Sequence, residues 1–251
     1  MIRPLLPDPT IRFDLDSLVW REKVRETLNA FLNYLPQTGK GLEIGCGKGH
    51  ITALFQKLGY TIIGTDLPIT IDEAMGFRHP LWQEPVWQAI SKRYGAKFQI
   101  ADATKLPFKD GSFDFVLANA VIEHVRPQRL VGKIFKEVLR VLKPGGFLLI
   151  SETPQPTSYS EWLGGQLGYG EHEIKIAGEQ VTKILIDSGF RVVYHDQYDL
   201  VPTQLPLPGR LGHWSVNLLF PFLEVVEHLL RLTPLRRFAH HTRTVAKKGN
   251  G

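Results

Sequence analysis

The sequence predicts an α/β fold in which helices cover both faces of a mainly parallel sheet. Two observations predict it. Short apolar runs rich in β-branched residues alternate with segments of helical apolar spacing along residues 38–200. A glycine-rich turn directly follows the first of these runs, at the position where open α/β sheets bind ligands. Parallel neighbours need right-handed crossover connections, which the intervening helices supply. At 251 residues with 43% hydrophobic content, the chain can form one domain.

The first elements are a helix and two strands separated by a second helix. Residues 17–35 space their apolar side chains as on one helical face. The run "GLEIG" predicts a strand over 41–45, and "HITALFQKLG" predicts a helix that Gly59 ends. The β-branched run "YTIIGTD" then predicts a buried strand over 60–66.

The alternation continues through the middle of the chain. A mixed helical segment over 70–95 precedes the strand "KFQIAD", and the turn "KDG" precedes the strand "FDFVLAN". The apolar period of "LVGKIFKEVLRVL" predicts a helix that "KPGG" ends, and the strand "FLLISE" follows. A glycine-rich loop, the helix "GEQVTKILIDSGF" and the strand "RVVYHDQYDL" complete the pattern up to residue 200.

The last fifty residues differ in composition from the rest. Residues 200–251 contain seven basic and two acidic residues and therefore account for the whole net charge of +5. Their apolar stretch is a poor membrane span because it contains Pro221 and a polar stripe of Glu224, Glu227, His228 and Arg231. We expect a helix packed on the body of the protein, with a helix at a membrane interface as the alternative. The ending "TRTVAKK" predicts a final strand.

The chain gives two indications of its compartment. The single cysteine, Cys46, cannot form an internal disulfide, and the first residues lack the apolar stretch of a secretory signal. We therefore expect a cytoplasmic protein. Peripheral membrane contact through residues 210–240 remains open because that region is apolar and basic.

The glycine loop "GLEIGCGKGH" raises three possibilities for its ligand. A Walker phosphate loop needs Lys followed by Ser or Thr, but Gly49 follows Lys48. A dinucleotide fingerprint needs a third glycine where His50 stands. Glu43, two residues before the first glycine, would repel a pyrophosphate and would tolerate a ligand with a positive group. The loop alone does not decide among these ligands.

Five motifs in order resemble the class I S-adenosylmethionine-dependent methyltransferases. The loop "LEIGCGKG" looks like their motif I, and "IIGTD", "ADATKLPF", "FDFVLANAVIEHV" and "EVLRVLKPGGFLLIS" follow in the family's order. The resemblance is close over residues 38–153 and extends in strand pattern to about residue 200. It implies a Rossmann-like, doubly wound sheet of seven mostly parallel strands with the last strand antiparallel. It also implies S-adenosylmethionine as the cofactor.

The resemblance divides the chain into parts of a single methyltransferase domain. Residues 1–37 would form an N-terminal helical lid and residues 38–200 the cofactor-binding core. An apolar, basic helical insertion would occupy residues 201–241, and residues 242–248 would form the final strand. The cofactor-binding residues that it implies are Glu43, Gly45, Cys46, Gly47, Asp66, Leu67, Asp102, Ala103 and Asn119. We predict no metal ligands.

The resemblance also implies a role for these residues in cofactor binding. Gly45 and Gly47 would let the backbone approach the methionine part of the cofactor, because a Cβ there would collide with it. Asp66 would accept both ribose hydroxyls, and Asp102 would bind the adenine amino group next to the Ala103 N–H. Asn119 would offer its carbonyl to the cofactor's ammonium group. Glu43 would brace the loop and favour the same cationic end.

Methyl transfer to a hydroxyl or ammonium acceptor needs a general base. The candidates are His124, in "VIEHV", and His172, in "GYGEHE", each with an ordinary structural role as the alternative. The motif after the fourth strand reads "ANAV" rather than the N/D-P-P-Y/F of enzymes that methylate base nitrogens, which argues against nucleic acid. Trp82, Trp87, Trp162 and nearby tyrosines would form either an aromatic lid or ordinary packing.

The predicted function is methyl transfer to a small-molecule or lipid-linked acceptor. A non-catalytic S-adenosylmethionine-binding protein, an NAD-dependent oxidoreductase and an aminopropyl transferase stay open as alternatives. No part of the sequence identifies the acceptor or the oligomeric state.

Overall fold

A computed structural model describes residues 18–68, 83–167, 175–201 and 222–250. Each face of a single seven-stranded sheet is covered by helices. The strands are β1 (Lys40–Ile44), β2 (Thr61–Asp66), β3 (Lys97–Ile100), β4 (Phe113–Asn119), β5 (Leu142–Pro154), β6 (Phe190–Tyr198) and β7 (His241–Lys248). The helices are α1 (Leu18–Leu32), α2 (His50–Lys57), α3 (Gln83–Tyr94), α4 (Arg129–Val141), α5 (Tyr159–Leu167), α6 (Gly178–Asp187) and α7 over 222–231.

The sheet has the strand order β3-β2-β1-β4-β5-β7-β6. Strands β1 to β5 pair in parallel, and β7 lies antiparallel between β5 and β6. This arrangement confirms the predicted fold class, including the antiparallel last strand. The strand order reverses between β1 and β4, so the carboxyl ends of these strands form the crevice in which such sheets bind ligands.

Alternate residues of the central strands point into two separate apolar layers. Leu42 of β1 and Val116 of β4 face α4 and α6, and the layer there includes Phe135 and Leu185. Leu117, next to Val116 in sequence, faces the opposite layer, which α1 and α2 complete. Since successive side chains of a strand point to opposite faces, this division follows from the near-continuous apolar composition of the strands.

The turn between α4 and β5 differs from the prediction. The motif "KPGG" was expected to separate the helix from the strand, but β5 begins at Leu142, directly after α4. Leu142 is fully buried and pairs with Phe113, and the register then shifts so that Phe115 pairs with Phe147. The glycine motif therefore forms a bulge within the strand, with Gly145 at a φ of +76°.

Helix α7 packs on the protein through its polar stripe. Arg231 donates to Glu26 of α1 and to Asp196 of β6, while the Glu227 carboxylate accepts backbone N–H groups of residues 199, 200 and 201 at 2.7–2.9 Å. The apolar side chains point outward: Phe222, Val225, Leu229 and Leu232 are 57–75% exposed. The helix thus packs on the body as expected, with its apolar face toward solvent. No helix of the described residues is long and apolar enough to cross a membrane.

Candidate active site

The glycine loop joins the end of β1 to the start of α2 through three left-handed residues. Gly45, Gly47 and Gly49 have φ values of +63°, +50° and +82°. Only glycine adopts such angles without a steric penalty, so the alternating glycines are required by the backbone. The loop is fixed at both ends, because the Cys46 N–H donates to the Thr65 carbonyl at 2.9 Å and the Ala53 N–H donates to the Gly49 carbonyl at 2.9 Å.

The three glycines differ in what surrounds them. A Cβ at Gly45 would lie 2.7 Å from Val121, and a Cβ at Gly49 would lie 2.4 Å from the ring of Phe98. A Cβ at Gly47 would meet no protein atom within 4 Å. Gly45 and Gly49 are therefore constrained by the protein itself, whereas Gly47 leaves open space over the loop. The clash with Val121 requires glycine at position 45 whether or not a cofactor binds there.

Glu43 of β1 supports the glycine loop through a contact with α2. It is buried in β1, and the Thr52 hydroxyl of α2 donates to its carboxyl group. Burial raises the pKa of Glu43 to about 8, against the opposing effect of the hydrogen bonds from Thr52. The carboxyl is therefore mostly protonated near pH 7. Its contact with Thr52 agrees with the predicted bracing, and its attraction for the cofactor's cationic end stays a prediction.

Asp66 links β2 to the glycine loop. Its carboxylate accepts the Gly47 N–H at 2.6 Å and the Leu67 N–H at 2.8 Å. Burial raises the pKa of Asp66 above its usual value, while these two donors act in the opposite direction. Two backbone hydrogen bonds fix the carboxylate beside Gly47, at the end of the strand where the sequence predicted it.

The next strand end presents apolar surface and a second acidic residue. Ile100 of β3 pairs with Asp66, and the side chains of Ile100 and Leu67 are 55% and 54% exposed. Asp102 follows β3, where its carboxylate accepts the Thr104 N–H at 2.7 Å, and Ala103 lies next to it. Two exposed apolar side chains beside two carboxylates form a surface suited to a flat heterocycle with polar edges.

A cleft opens between α1, α2 and the ends of β4 and β5. Asn119 lines it, and the Asn119 amide oxygen accepts the Ser151 hydroxyl at 2.7 Å. Glu152 also lines the cleft. The hydroxyl of Thr27 is buried there without a hydrogen-bond partner. The remaining lining is apolar and consists of Val24, Leu28, Phe31, Ile51, Phe55, Leu117, Ala118 and Leu149.

Of the two histidines predicted as candidate bases, one lies within the described residues and the other does not. His124 lies in a short 3₁₀ helix (Ile122–His124), and 52% of its side chain is exposed, outside the lining of the cleft. His172 lies outside the described residues. In the motif "VIEHV" the buried titratable residue is Glu123, whose pKa is raised to about 8 by burial. His124 therefore remains a prediction without support from the geometry of the cleft.

A cluster of polar side chains beside the cleft was missed by the sequence analysis. The His–acid cluster comprises Asp199, His240, His241, Glu161 and Glu152. His241 Nδ1 lies 3.1 Å from Asp199 Oδ2 and 3.8 Å from Glu152 Oε2. His240 Nε2 lies 2.6 Å from Glu161 Oε1. Burial lowers the pKa of His240 to about 4, and its neighbour His241 adds to this effect. The sequence feature that could have indicated this cluster is the pair "HH" at residues 240–241, at the start of the last strand.

Backbone strain is concentrated at the same edge of the sheet. Among the described residues, the non-glycine positions with positive φ are Ala120 at +51°, Glu152 at +60° and Asp199 at +68°. They lie at or just beyond the carboxyl ends of β4, β5 and β6. Such conformations cost about 1–3 kcal/mol each and cluster at functional sites. This distribution supports a functional site that extends from the glycine loop across β4 and β5 to β6.

The aromatic residues do not act together as a lid in the described part of the chain. Trp87 is buried, stacks on Phe98 with ring centroids 5.1 Å apart, and donates its indole N–H to the Gly47 carbonyl at 2.9 Å. Trp162 of α5 is 66% exposed. Trp82 and Tyr169 lie outside the described residues. Trp87 therefore supports the glycine loop from α3, which is the ordinary-packing alternative.

Comparison with known proteins shows what the core of the chain resembles. Residues 42–150 match the family model described as a methyltransferase domain. A SAM-dependent methyltransferase from Methanosarcina mazei is 23% identical with a TM-score of 0.58, and the alignment covers 88% of this chain and 98% of that one. At this identity the likeness shows the fold. The predicted resemblance to the class I methyltransferases is confirmed by the family match together with the fold.

Curated relatives share the core but differ in the acceptors that their names give. A tRNA (carboxymethyluridine(34)-5-O)-methyltransferase of Arabidopsis thaliana is 32% identical over 150 residues, covering 54% of this chain and 33% of that protein. A demethylmenaquinone methyltransferase of Staphylococcus aureus is 34% identical over 140 residues, covering 55% and 51%. The chain thus spans between a third and a half of the length of these relatives.

Proposed function

Because residues 42–150 match the methyltransferase domain family on a class I fold, we propose that this protein transfers a methyl group from S-adenosylmethionine to a small-molecule acceptor. The single observation that carries the proposal is the surface formed by Gly47, Asp66, Leu67 and Ile100. It combines open space above a left-handed glycine, a carboxylate fixed by two backbone donors and exposed apolar side chains. These features fit an adenosine group, so the residues present fit the cofactor.

The chain's own residues have defined tasks in this proposal. Asp66 would hold the ribose, Ile100 and Leu67 would cover the adenine faces, and Asp102 and Ala103 would bind its edge. Gly47 and the main chain of Cys46 would leave room for the methionine part, which would extend toward Asn119. When bound, the cofactor supplies a methyl group on a sulfonium centre, so the protein's contribution is to orient the two reactants and exclude water.

Cys46 takes no chemical part in this proposal. Its thiol is buried, and burial raises its pKa far above the usual value, with the acidic neighbours Glu43 and Asp66 adding to the shift. A thiol that stays protonated at physiological pH is a poor nucleophile. This supports a structural role for the side chain in the glycine loop.

The acceptor would bind in the cleft beneath α1. The lining is largely apolar, with a polar end formed by Asn119, Ser151 and Glu152. Among the described residues that line the cleft, Glu152 is the one carboxylate, and it accepts a hydrogen bond from Tyr198 at 2.7 Å. A molecule with an apolar body and one polar group would match this lining. The Thr27 hydroxyl offers a further hydrogen bond within the apolar part.

The exposed apolar face of α7 supports contact with an anionic membrane surface or a lipid-linked acceptor. Phe222, Val225, Leu229 and Leu232 form one row, and Arg236 and Arg237 follow in the next short helix. Apolar side chains flanked by arginines suit the interface of an anionic bilayer. Flotation with anionic vesicles at low salt tests this: we expect co-flotation that a Leu229→Ser, Leu232→Ser double variant loses. Absence of the wild-type protein from the vesicle fraction would rule out this contact.

A thermal-shift comparison of S-adenosylmethionine, S-adenosylhomocysteine and NAD tests the cofactor. A ligand at 100 times its Kd stabilises the folded state by about 2.7 kcal/mol. We expect both adenosyl compounds to raise the Tm and NAD to leave it unchanged. A rise with NAD alone would favour an oxidoreductase. Tight cofactor binding without turnover across acceptors, including quinones, amines and RNA, would favour a non-catalytic binding protein.

A further inference from the structure

We propose that Asp199, His240 and His241 form a binding site for a divalent transition-metal cation, separate from the cofactor surface. Asp199 directly follows β6, and His240 and His241 stand at the start of β7, which pairs with β6 so that Tyr198 lies opposite His241. One ligand atom from each of the three residues lies within 4.8 Å of the other two. The sheet pairing therefore assembles residues that are about 40 positions apart.

The distances fit metal coordination. Ligand atoms bound tetrahedrally at about 2.0–2.1 Å from a zinc ion are about 3.3 Å apart. Asp199 Oδ2 lies 3.1 Å from His241 Nδ1 and 3.8 Å from His240 Nδ1, values that lie on either side of this separation. The two imidazole rings stack with centroids 3.8 Å apart and an interplanar angle of 21°, so one ring must rotate for both Nδ1 lone pairs to point at the same cation. Both Nδ1 atoms thus approach the same carboxylate oxygen.

Glu161 orients the first of these histidines. The 2.6 Å contact between His240 Nε2 and Glu161 Oε1 is satisfied when Nε2–H donates to the carboxylate. Donation from Nε2 makes Nδ1 the lone-pair nitrogen of a neutral ring, and this atom faces Asp199. Metal-bound histidines almost always donate their other ring N–H in this way. Glu161 is held in turn by Lys175, whose ammonium lies 3.5 Å away.

The local charge favours a cation. The side chains of Asp199, Glu161 and His241 are only 5–10% exposed, and Glu152 lies 3.8 Å from His241. The cluster contains three carboxyl groups, of which those of Asp199 and Glu161 are buried. Buried charges are costly unless they are paired or coordinate metals. A divalent cation between Asp199 and the two imidazoles would be attracted by these carboxyl groups.

The ligand chemistry restricts the identity of the cation. Two imidazole nitrogens and one carboxylate suit zinc, iron, cobalt or nickel, whereas magnesium and calcium prefer oxygen ligands. Three protein ligands leave at least one coordination position for water or a bound molecule. Since Glu152 also lines the cleft, the site adjoins the space in which we place the acceptor.

Zinc titration of the full chain, freed of metal by a chelator and without an affinity tag, tests the site. We expect one zinc ion per chain by calorimetry and a zinc-dependent rise in Tm. Asp199→Asn and His240→Gln should each abolish the stoichiometric binding, and Glu161→Gln should weaken it by about 10- to 100-fold. His228→Ala is the matched control, because His228 is an exposed histidine of α7 outside the cluster, and it should bind zinc as the wild type does.

Far-UV circular dichroism identifies the variants that keep the fold. If a ligand variant unfolds, Glu161→Gln gives a second measurement, because it leaves all three ligands in place. The proposal is overturned if the wild type binds no stoichiometric zinc. It is equally overturned if folded Asp199→Asn, or Glu161→Gln where the ligand variants unfold, binds as tightly as His228→Ala. S-adenosylmethionine binding is measured separately, so that failure here is distinguishable from failure of the proposed function.

Discussion

Replacing Gly47 by alanine tests whether the open space over the glycine loop belongs to the cofactor. At a φ of +50° an alanine occupies the left-handed region at a cost of about 1–2 kcal/mol. For a domain of this size that cost lowers the Tm by about 2–8 °C. No protein atom lies within 4 Å of the added Cβ, so no further loss of stability is expected.

Gly95→Ala provides the matched control. Gly95 ends α3 at a φ of +72°, and a Cβ there also meets nothing within 4 Å. Both variants should therefore lose similar stability in the absence of ligand. Only Gly47→Ala should lose affinity for S-adenosylhomocysteine, because its methyl group would overlap the bound ligand. Forcing a methyl group into occupied space costs about 1–3 kcal/mol, which corresponds to about 5- to 150-fold in Kd.

The assay is calorimetric titration of S-adenosylhomocysteine into both variants, with urea unfolding to measure stability. Equal affinities for the two variants would refute the placement of the cofactor over Gly47. A much larger loss of stability in Gly47→Ala than in Gly95→Ala would refute the inference that the space there is open to ligand. Gly45→Ala should behave differently from both, since its Cβ would lie 2.7 Å from Val121 and should destabilise the fold itself.

Three further predictions follow from contacts away from Gly47. The raised pKa of Glu43 means that its contribution to stability is complete below about pH 4.5 and is lost as the pH rises to about 8. Between pH 5 and pH 8, the free energy of unfolding in urea should therefore decline less for Glu43→Gln than for the wild type. Arg231→Met should cost about 1–3 kcal/mol because it leaves the partly buried Asp196 and Glu26 without this partner, whereas Lys183→Ala, which breaks an exposed pair with Asp187, should cost at most about 0.5 kcal/mol. Thr27→Val should leave the free energy of unfolding unchanged or raise it, since the buried hydroxyl has no partner, and a loss above about 1 kcal/mol would contradict that reading.

The sequence predicted the strand ends around the glycine loop better than it predicted the cleft and the His–acid cluster. The glycine loop, Asp66 and Asp102 lie at or just beyond the carboxyl ends of β1, β2 and β3, and parallel strands bring these ends to one edge. The structure places Asp66 against Gly47 as this reasoning requires. Local pattern was sufficient there because the relevant residues lie within the β1 to β4 units that the sequence reveals in order.

The His–acid cluster depends on strand pairing that no local pattern specifies. His240 and His241 meet Asp199 only because β7 inserts between β5 and β6. The exposed apolar face of α7 was also unexpected, since an amphipathic helix normally buries its apolar stripe. Here Arg231 and Glu227 find charged and backbone partners on the body, and these contacts decide which face packs.

The insertion of the last strand determines when the site can be completed. Glu26 of α1 is held by Arg243 of β7, 217 positions later in the chain, at 2.9 Å. During synthesis, Arg243, which binds Glu26 of α1, and β7, which pairs with β6, emerge only near the end of the chain. Contacts of such long range are closed late because the entropy of a large loop must be overcome first. Strands β1 to β5 pair with one another without β7 and can therefore assemble first, whereas a chain that stops before β7 lacks the strand that joins β5 to β6.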